Sequence, residues 1–320
     1  MKPMKPKPPP LTDVFRLGSK KGLDGYLWLL KILVPISFAT MLLVHSGLIH
    51  RLDVLLDPVM GLLGLPSVAA LPLLVGLLTD IYGGIAAMAP LSLSVAHMTL
   101  MTVFMLIAHN LPQEGAVQAK SGLSFVKATA VRLGTAVITV ALMAQILQPE
   151  AAPAMVASQA AAAQPSLSAA LGVWAVDTLA LCAKIFLILI PLMVVLEILK
   201  QYQVIEKIVR PMGPLLSLIG VERHMGLLWL TAALFGLAYG SAVIVEETRE
   251  GHFSEPELER LQASIGINHA VIEDPVLFLP FSVHPFWLWV PRLVAAIAAV
   301  YVVRGLQKLR PEKDSEPAAP

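Results

Sequence analysis

Two short motifs in this chain place an imidazole and an amide close to carboxylates, within or beside apolar segments. On a helix, residues three to five positions apart lie near one face, so each motif can present its polar groups together. Ionisable groups at membrane depth are costly and are usually functional or paired. We therefore predict that the two motifs converge on one central binding site. Its residues are His109, Asn110 and Glu114 from the first motif, and Asn268, His269, Glu273 and Asp274 from the second.

The chemistry of these groups allows more than one cargo. Histidines and asparagines can hydrogen-bond a small polar solute, while the carboxylates can take up a coupling H+ or Na+. A divalent metal ion is the alternative cargo, because imidazoles and carboxylates together suit a borderline or hard cation. In a third interpretation the protein is a membrane scaffold or sensor that transports nothing. The metal ligands in the second case would be His109, Glu114, His269, Glu273 and Asp274.

Two tyrosine-glycine pairs form a second group of candidates. Glycine lets the backbone approach a ligand closely, and free amides at a hairpin tip can bind a polar group. Close helix packing through small residues is the competing explanation. The residues expected to line a path are Asp80, Tyr82, Gly83, Tyr239 and Gly240.

Two arginines lie near the start of apolar helices. Arg132 and Arg292 could each hold an anion through their planar guanidinium groups. Alternatively, each side chain could reach the lipid headgroups.

These features recur in both halves of the chain, in the same order. The offset grows only from 153 residues, between Asp24 and Asp177, to 160 residues, between Arg132 and Arg292. In this comparison Glu114 matches Glu273, and the order of His and Asn is reversed. Such a regular offset indicates a duplicated unit, and in membranes duplication usually builds a pathway between two halves.

The composition indicates an integral membrane protein. Hydrophobic residues make up 57% of the chain and charged residues only 14%, whereas a soluble domain carries about 25% charged residues. Several segments approach the roughly 20 apolar residues that cross a bilayer. The near-zero net charge gives no reason to expect a nucleic-acid partner. No HExxH motif or nucleophile elbow is present, so we do not predict an enzyme.

We predict an all-α fold of two inverted-topology repeats with re-entrant or broken helices and interfacial amphipathic helices. Leu65–Pro90 and Gly226–Val245 contain Gly or Pro breaks and are the expected re-entrant segments. If they crossed the membrane instead, the repeats would be parallel. The predicted divisions are a basic cytoplasmic tail (1–25), a first repeat (26–147), an external Ala/Pro-rich linker (148–171), a second repeat (172–304) and a cytoplasmic tail (305–320).

Lysine and arginine set the expected orientation. Six lie in the first 24 residues and none in the linker, which places both termini in the cytoplasm. We expect a multi-pass protein of a bacterial inner membrane, in contact with lipid and with a small polar solute or ion. It could also form a homo-oligomer.

The arrangement resembles the nucleoside-recognition, or gate, domain family of bacterial membrane proteins. The resemblance rests on the Pro-containing amphipathic stretch, the Tyr-Gly segment, and the AHNLPQE and INHAVIED motifs. It covers about residues 26–147 and 172–304, with one gate unit in each. It implies an inverted-repeat pore or carrier, and the family name points to nucleosides without assigning a substrate.

Overall fold

The computed structural model describes residues 9–48, 53–149, 166–202, 204, 213–237, 240, 243–245 and 253–309. Within them the chain is helical and contains no strand, which confirms the predicted all-α class. Five helical spans in this part are long and apolar enough to cross a bilayer, one of them being Val95–Ala119 with a break inside it, or up to seven if each sharply bent pair forms one span. The protein is therefore a multi-pass helical membrane protein.

The helices divide into long spans and short broken pieces. In chain order they are α1 (Leu11–His45), α2 (Asp53–Leu62), α3 (Ala70–Leu78), α4 (Ile81–Met88), α5 (Val95–Ile107), α6 (Leu111–Ala119), α7 (Phe125–Leu147), α8 (Leu167–Gln201), α9 (Gly213–Ile219), α10 (Gly226–Phe235), α11 (Glu255–Ile267), α12 (Glu273–Val276) and α13 (Pro285–Lys308).

The longest helices, α1 and α8, pack side by side in opposite directions. Near the start of α1, Lys21 pairs with Glu197 of α8 at 2.6 Å. Further along α1, Tyr26 donates to the Cys182 carbonyl at 3.2 Å. Near its end, Ser37 accepts from the Trp174 indole at 3.2 Å. The residue numbers of the α8 partners decrease as the residue numbers along α1 increase, so the two helices are antiparallel. Inverted repeats require this of their first helices, and parallel repeats would not produce it.

The ends of these helices differ from the predicted divisions. Helix α1 begins at Leu11, well inside the predicted tail of residues 1–25, because its Lys and Arg side chains extend the helix beyond the apolar run. Helix α8 begins at Leu167, inside the predicted linker, where Ser166 caps it by accepting from the Ala169 amide. Residues 150–165 and 310–320 lie outside the described residues, so most of the linker and of the C-terminal tail stays a prediction.

The first broken segment folds into a helical hairpin. Helix α3 has nine residues and α4 has eight, so each is about 12–14 Å long and too short for a 30 Å hydrocarbon core. Asp80 caps α4 by accepting from the Gly83 amide at 2.7 Å. Gly76 and Gly84 then meet across the hairpin, where a Cβ on Gly84 would lie 3.2 Å from the Gly76 Cα. This fold-back is what the re-entrant prediction expects.

The second half repeats part of this hairpin. Gly240 lies against α10, and a Cβ added to it would come within 2.6 Å of the Ala232 Cα. Gly84–Gly76 and Gly240–Ala232 are thus equivalent contacts. Gly213–Ile219 and the helical segment Arg223–Phe235 meet at a bend of 109°. Tyr239 and Pro211 lie outside the described residues.

The Pro-containing amphipathic stretch noted in the sequence contains α2, with Pro58 inside the helix. Its described residues 55–62 bend by 83° from the following segment, Ser67–Leu78. A bend that sharp after a short helix agrees with a segment that turns at the membrane surface.

Both motif segments contain a broken helix. Asn110, between α5 and α6, has a left-handed φ of 48°, and Ala270, between α11 and α12, has a φ of 43°. The Asn110 amide donates to the Gly76 carbonyl at 2.8 Å, and the Ala270 amide donates to the Ala232 carbonyl at 3.3 Å. Each break is therefore fastened to the hairpin of its own half in the same way.

The charged residues just before the second motif lie on helix α11, Glu255–Ile267. Ser254 precedes α11 and Glu257 follows three residues later, which is the spacing of a capping box. The structure confirms this capping box. Glu259, however, is only 2% exposed and pairs with Lys127 of α7 at 2.6 Å. Charged residues of this stretch thus join the two halves of the chain.

Candidate functional site

The two motifs meet at their histidines. The Nε2 atom of His109 lies 3.4 Å from the Nε2 atom of His269, although the residues are 160 positions apart. His109 is 5% exposed and His269 is 2% exposed. Each imidazole lies at the end of the first helix of its broken pair, α5 or α11. The convergence expected from the sequence is therefore present for the histidines.

Both imidazoles are oriented by backbone carbonyls. The Nδ1 of His109 lies 2.8 Å from the Met105 carbonyl, and the Nδ1 of His269 lies 2.9 Å from the Ile265 carbonyl. A carbonyl oxygen only accepts hydrogen bonds, so each Nδ1 must carry the proton. In the neutral ring Nε2 is then a free acceptor, and both Nε2 atoms point into the space between the halves.

Two carboxylates complete the cluster. Glu114 Oε1 lies 3.5 Å from His109 Nε2 and 3.4 Å from His269 Nε2. Asp274 Oδ2 lies 3.8 Å and 4.0 Å from the same two atoms. We call His109, His269, Glu114 and Asp274 the histidine-carboxylate cluster.

The structure changes the residue matching inferred from sequence. Glu114 and Asp274 hold equivalent places, each five positions after its histidine, and both face the histidine pair. The sequence comparison had matched Glu114 with Glu273 and reversed His with Asn, which is wrong because the two histidines themselves correspond. Glu273 turns away and accepts a 3.0 Å hydrogen bond from the Tyr82 hydroxyl.

Arg132 supports the first half of the cluster. Its Nε and Nη2 donate to the carbonyls of Ile107 and His109 at 3.1 Å and 2.8 Å. Its Nη1 lies 2.5 Å from Glu114 Oε2. The guanidinium therefore satisfies the carbonyls freed at the helix break and fixes the carboxylate. Arg132 is 1% exposed, so it does not reach the lipid headgroups.

Arg292 donates to the equivalent backbone carbonyls of the second half but does not form the ion pair. Its Nε and Nη2 donate to the carbonyls of Ile267 and His269 at 2.6 Å and 2.7 Å. Its Nη1 and Asp274 Oδ2 are both buried and have no hydrogen-bond partner among the described residues. Asp274 is one methylene shorter than Glu114, which explains why the ion pair is not reproduced. The predicted anion contact is thus met inside the chain by Arg132, while Arg292 keeps a free donor.

The two asparagines lie next to the cluster in sequence, and their described hydrogen bonds are with residues around the helix breaks. Asn110 holds the left-handed position of the first break, and its side-chain amide donates to Gln113 at 3.3 Å. Asn268 is buried at the end of α11, where its backbone amide donates to the Ser264 carbonyl. The contacts described for both residues are therefore with the chain around the breaks, and the histidines and carboxylates form the centre.

The path-lining candidates have separate positions. Asp80 and Gly83 form the N-cap of α4, and Gly240 packs against α10, so the described contacts of all three are structural. Tyr82 alone contacts the motif region, through Glu273. Tyr239 lies outside the described residues and stays a prediction.

A buried amide network also links the two halves, and the sequence did not single it out. Gln118 donates to the Gln262 carbonyl at 2.8 Å. Gln262 in turn donates to the Ser121 carbonyl at 3.0 Å and to its hydroxyl at 2.8 Å. These residues have no equivalent in the other half, so the duplication could not reveal them. The sequence feature that could have pointed to these residues is that each is a polar residue close to an apolar segment.

A cavity of about 220 Å³ reaches the edge of the site. Glu273, which follows the second motif and bonds Tyr82, forms part of its wall. Lys21 and Glu197, which form an ion pair between α1 and α8, also line the cavity. The cavity therefore borders both the long helix pair and the residue next to Asp274.

The apolar spans, the folded-back hairpin and the buried histidine pair define a multi-pass membrane protein. Residues 26–149 match the model of the gate domain family, described as nucleoside recognition, which confirms the resemblance for the first half. This family is associated with transport more than with catalysis. The second gate unit stays a prediction.

The match to a relative extends over nearly the whole chain. The chain is 28% identical to the membrane protein YvoD of Bacillus subtilis (strain 168) over 309 residues, which cover 94% of this chain and 97% of that protein. No solved structure matches the chain.

Proposed function

We propose that this chain is a permease that moves a small polar solute or an ion through the histidine-carboxylate cluster. The observation that carries the proposal is the buried 3.4 Å approach of His109 to His269. Two polar motifs from separate halves of a membrane protein meet there, at positions where burial costs free energy. A translocation site between two repeats has this arrangement.

The surroundings of the cluster support passage of a cargo. Arg292 Nη1 and Asp274 Oδ2 are buried polar atoms without hydrogen-bond partners among the described residues, which is costly unless a ligand completes them. The cavity beside Glu273 supplies an approach from the surface. The carboxylates of the cluster are the groups that would take up a coupling H+ or Na+. A nucleoside-like solute is the cargo that the family description favours.

The proposed setting is the bacterial inner membrane, with both termini in the cytoplasm. The basic N-terminal region favours this orientation. The antiparallel packing of α1 and α8 is compatible with this orientation, because an N-terminus in the cytoplasm would then go with a linker before α8 on the external side. Assembly into a homo-oligomer stays part of the proposal.

Flux through reconstituted vesicles tests the permease. Purified protein is placed in liposomes and offered nucleosides, other small polar solutes and cations, with internal pH followed in parallel. We expect saturable uptake of at least one cargo, which His269→Gln abolishes. His97→Gln is the matched control, because His97 is also a buried histidine but contacts Ser94 instead of the cluster.

The test also decides against the scaffold or sensor alternative. In that case the cluster would only hold the halves together. Folded protein that carries no member of a broad panel, combined with cluster variants that change only thermal stability, would overturn the permease.

A further inference from the structure

We propose that the histidine-carboxylate cluster binds a borderline divalent transition-metal ion of the Zn²⁺ or Co²⁺ type. That the metal is the cargo rests on the permease proposed above, whereas binding itself does not. His109 and His269 supply the nitrogen ligands and Glu114 and Asp274 the oxygen ligands. Glu273, one of the candidate ligands expected from sequence, is excluded because it is bonded to Tyr82.

The ring nitrogens and carboxylate oxygens of the cluster face one another. Both Nδ1 atoms are committed as donors to the Met105 and Ile265 carbonyls, so in the neutral rings both Nε2 atoms present lone pairs. They approach each other to 3.4 Å, and the Glu114 carboxylate approaches each of them to 3.5 Å or less. Acceptors held this closely repel unless a positive species lies between them.

The distances between the ligand atoms match those of a tetrahedral metal site. Zn–N bonds of about 2.0–2.1 Å in a tetrahedral site separate neighbouring ligands by about 3.3–3.4 Å. The triangle formed by His109 Nε2, His269 Nε2 and Glu114 Oε1 has edges of 3.4 and 3.5 Å. Asp274 is slightly farther away, but its Oδ2 still lies within 4.8 Å of both imidazole ligand atoms.

Hydrogen bonds and an ion pair already orient both imidazoles and the Glu114 carboxylate. Each imidazole donates its other nitrogen to a backbone carbonyl, the outer contact that metal-binding histidines usually have. Arg132 holds Glu114 through the oxygen that faces away from the histidines. Ligand rotation is therefore limited before any ion arrives.

The charges around the cluster set the strength of binding. Arg132 and Arg292 balance Glu114 and Asp274, so a divalent ion adds two uncompensated charges to the cluster. Binding is consequently weaker than in a structural zinc site, which suits an ion that must also leave. The unpartnered Asp274 oxygen gives the ion a ligand that Arg292 does not already hold.

Equilibrium binding to the purified full chain tests the inference. Co²⁺ is titrated while its visible ligand-field absorption is recorded, and Zn²⁺ binding is followed by calorimetry and by displacement of Co²⁺. We expect the absorption of a low-coordinate nitrogen and oxygen site, which Zn²⁺ removes. His269→Gln and Asp274→Asn should weaken binding at least tenfold, since even outer contacts of metal ligands contribute roughly 10- to 100-fold.

Controls separate the site from folding and from stray binding. His97→Gln should bind Co²⁺ like the unmodified chain, and circular dichroism with size-exclusion chromatography establishes that each variant is folded. Folded protein without Co²⁺ absorption or Zn²⁺ heat overturns the metal site. So does binding that survives in folded His109→Gln and His269→Gln variants.

The two proposals fail separately. Solute flux without metal binding would remove the metal site and leave the permease. Metal binding without flux of any cargo would remove the permease and leave the metal site.

Discussion

Arg132 Nη1 lies 2.5 Å from Glu114 Oε2, whereas the equivalent arginine, Arg292, forms no such ion pair with any of the described residues. The two halves therefore hold the same backbone carbonyls but differ in one ion pair. Because of this difference, we expect Arg132 to contribute more than Arg292 to the stability of the protein.

Arg132→Lys should destabilise the protein more than Arg292→Lys. Lysine cannot reach two carbonyls and a carboxylate together, and Glu114 would become a buried charge without its partner. We expect a loss of about 3–5 kcal/mol for Arg132→Lys and about 1–3 kcal/mol for Arg292→Lys. Thermal unfolding in one detergent measures both. Arg304→Lys, at an exposed position of α13, is the control, and equal losses for the two buried sites would contradict the asymmetry.

Asp274→Glu should restore the missing ion pair. The extra methylene lets the carboxylate approach Arg292 as Glu114 approaches Arg132. We expect thermal stability to rise, because the guanidinium of Arg292 then has a carboxylate partner. A double-mutant cycle with Arg292→Lys should give a coupling energy of about 0.5–3 kcal/mol. No coupling would mean that the longer side chain does not reach.

Gly18→Ala should separate the two longest helices. A Cβ at Gly18 would lie 2.7 Å from the Val194 Cα, which is backbone and cannot rotate away. We expect a loss of about 1–3 kcal/mol from overpacking. Gly25→Ala is the matched control in the same helix, because nothing lies within 4 Å of its Cβ position. Similar unfolding midpoints for the two variants would show that the helices are not in close contact.

Tyr82→Phe should impair flux more than metal binding. The Tyr82 hydroxyl is 3.0 Å from Glu273, which borders the cavity but is not a proposed ligand. Uptake into vesicles should fall, while the Co²⁺ titration stays within about twofold because the cluster ligands do not move. Tyr26→Phe is the control, since the Tyr26 hydroxyl bonds the Cys182 carbonyl away from the cluster. Equal flux in both tyrosine variants would remove Tyr82 from the path.

The sequence predicted the parts of the fold that depend on composition and repetition. Apolar length indicated the spans, and Gly and Pro indicated the break that becomes the α3–α4 hairpin. The motifs indicated that His109 and His269 should meet. All of these signals are local or are repeated between the halves.

What the sequence could not predict depends on register and on single contacts. Neighbouring acids at 273 and 274 look equivalent in sequence, and only the direction of the chain after Ala270 decides which one faces the histidines. Gln118 and Gln262 have no repeat counterpart, so no pattern marked their contact. Glu259 belongs to a charged stretch, yet Lys127 from the other half shields it.

The tight backbone contact between α1 and α8 limits how the site can open. Lys21 and Glu197 fasten these helices at one end, and Trp174 with Ser37 joins them near the other. Separation of α1 from α8 would break the ion pair and the hydrogen bond together. If the protein is the permease proposed above, we therefore expect α1 and α8 to stay together while the site opens through the short half-helices around Asn110 and Ala270, the two residues with left-handed backbone conformations.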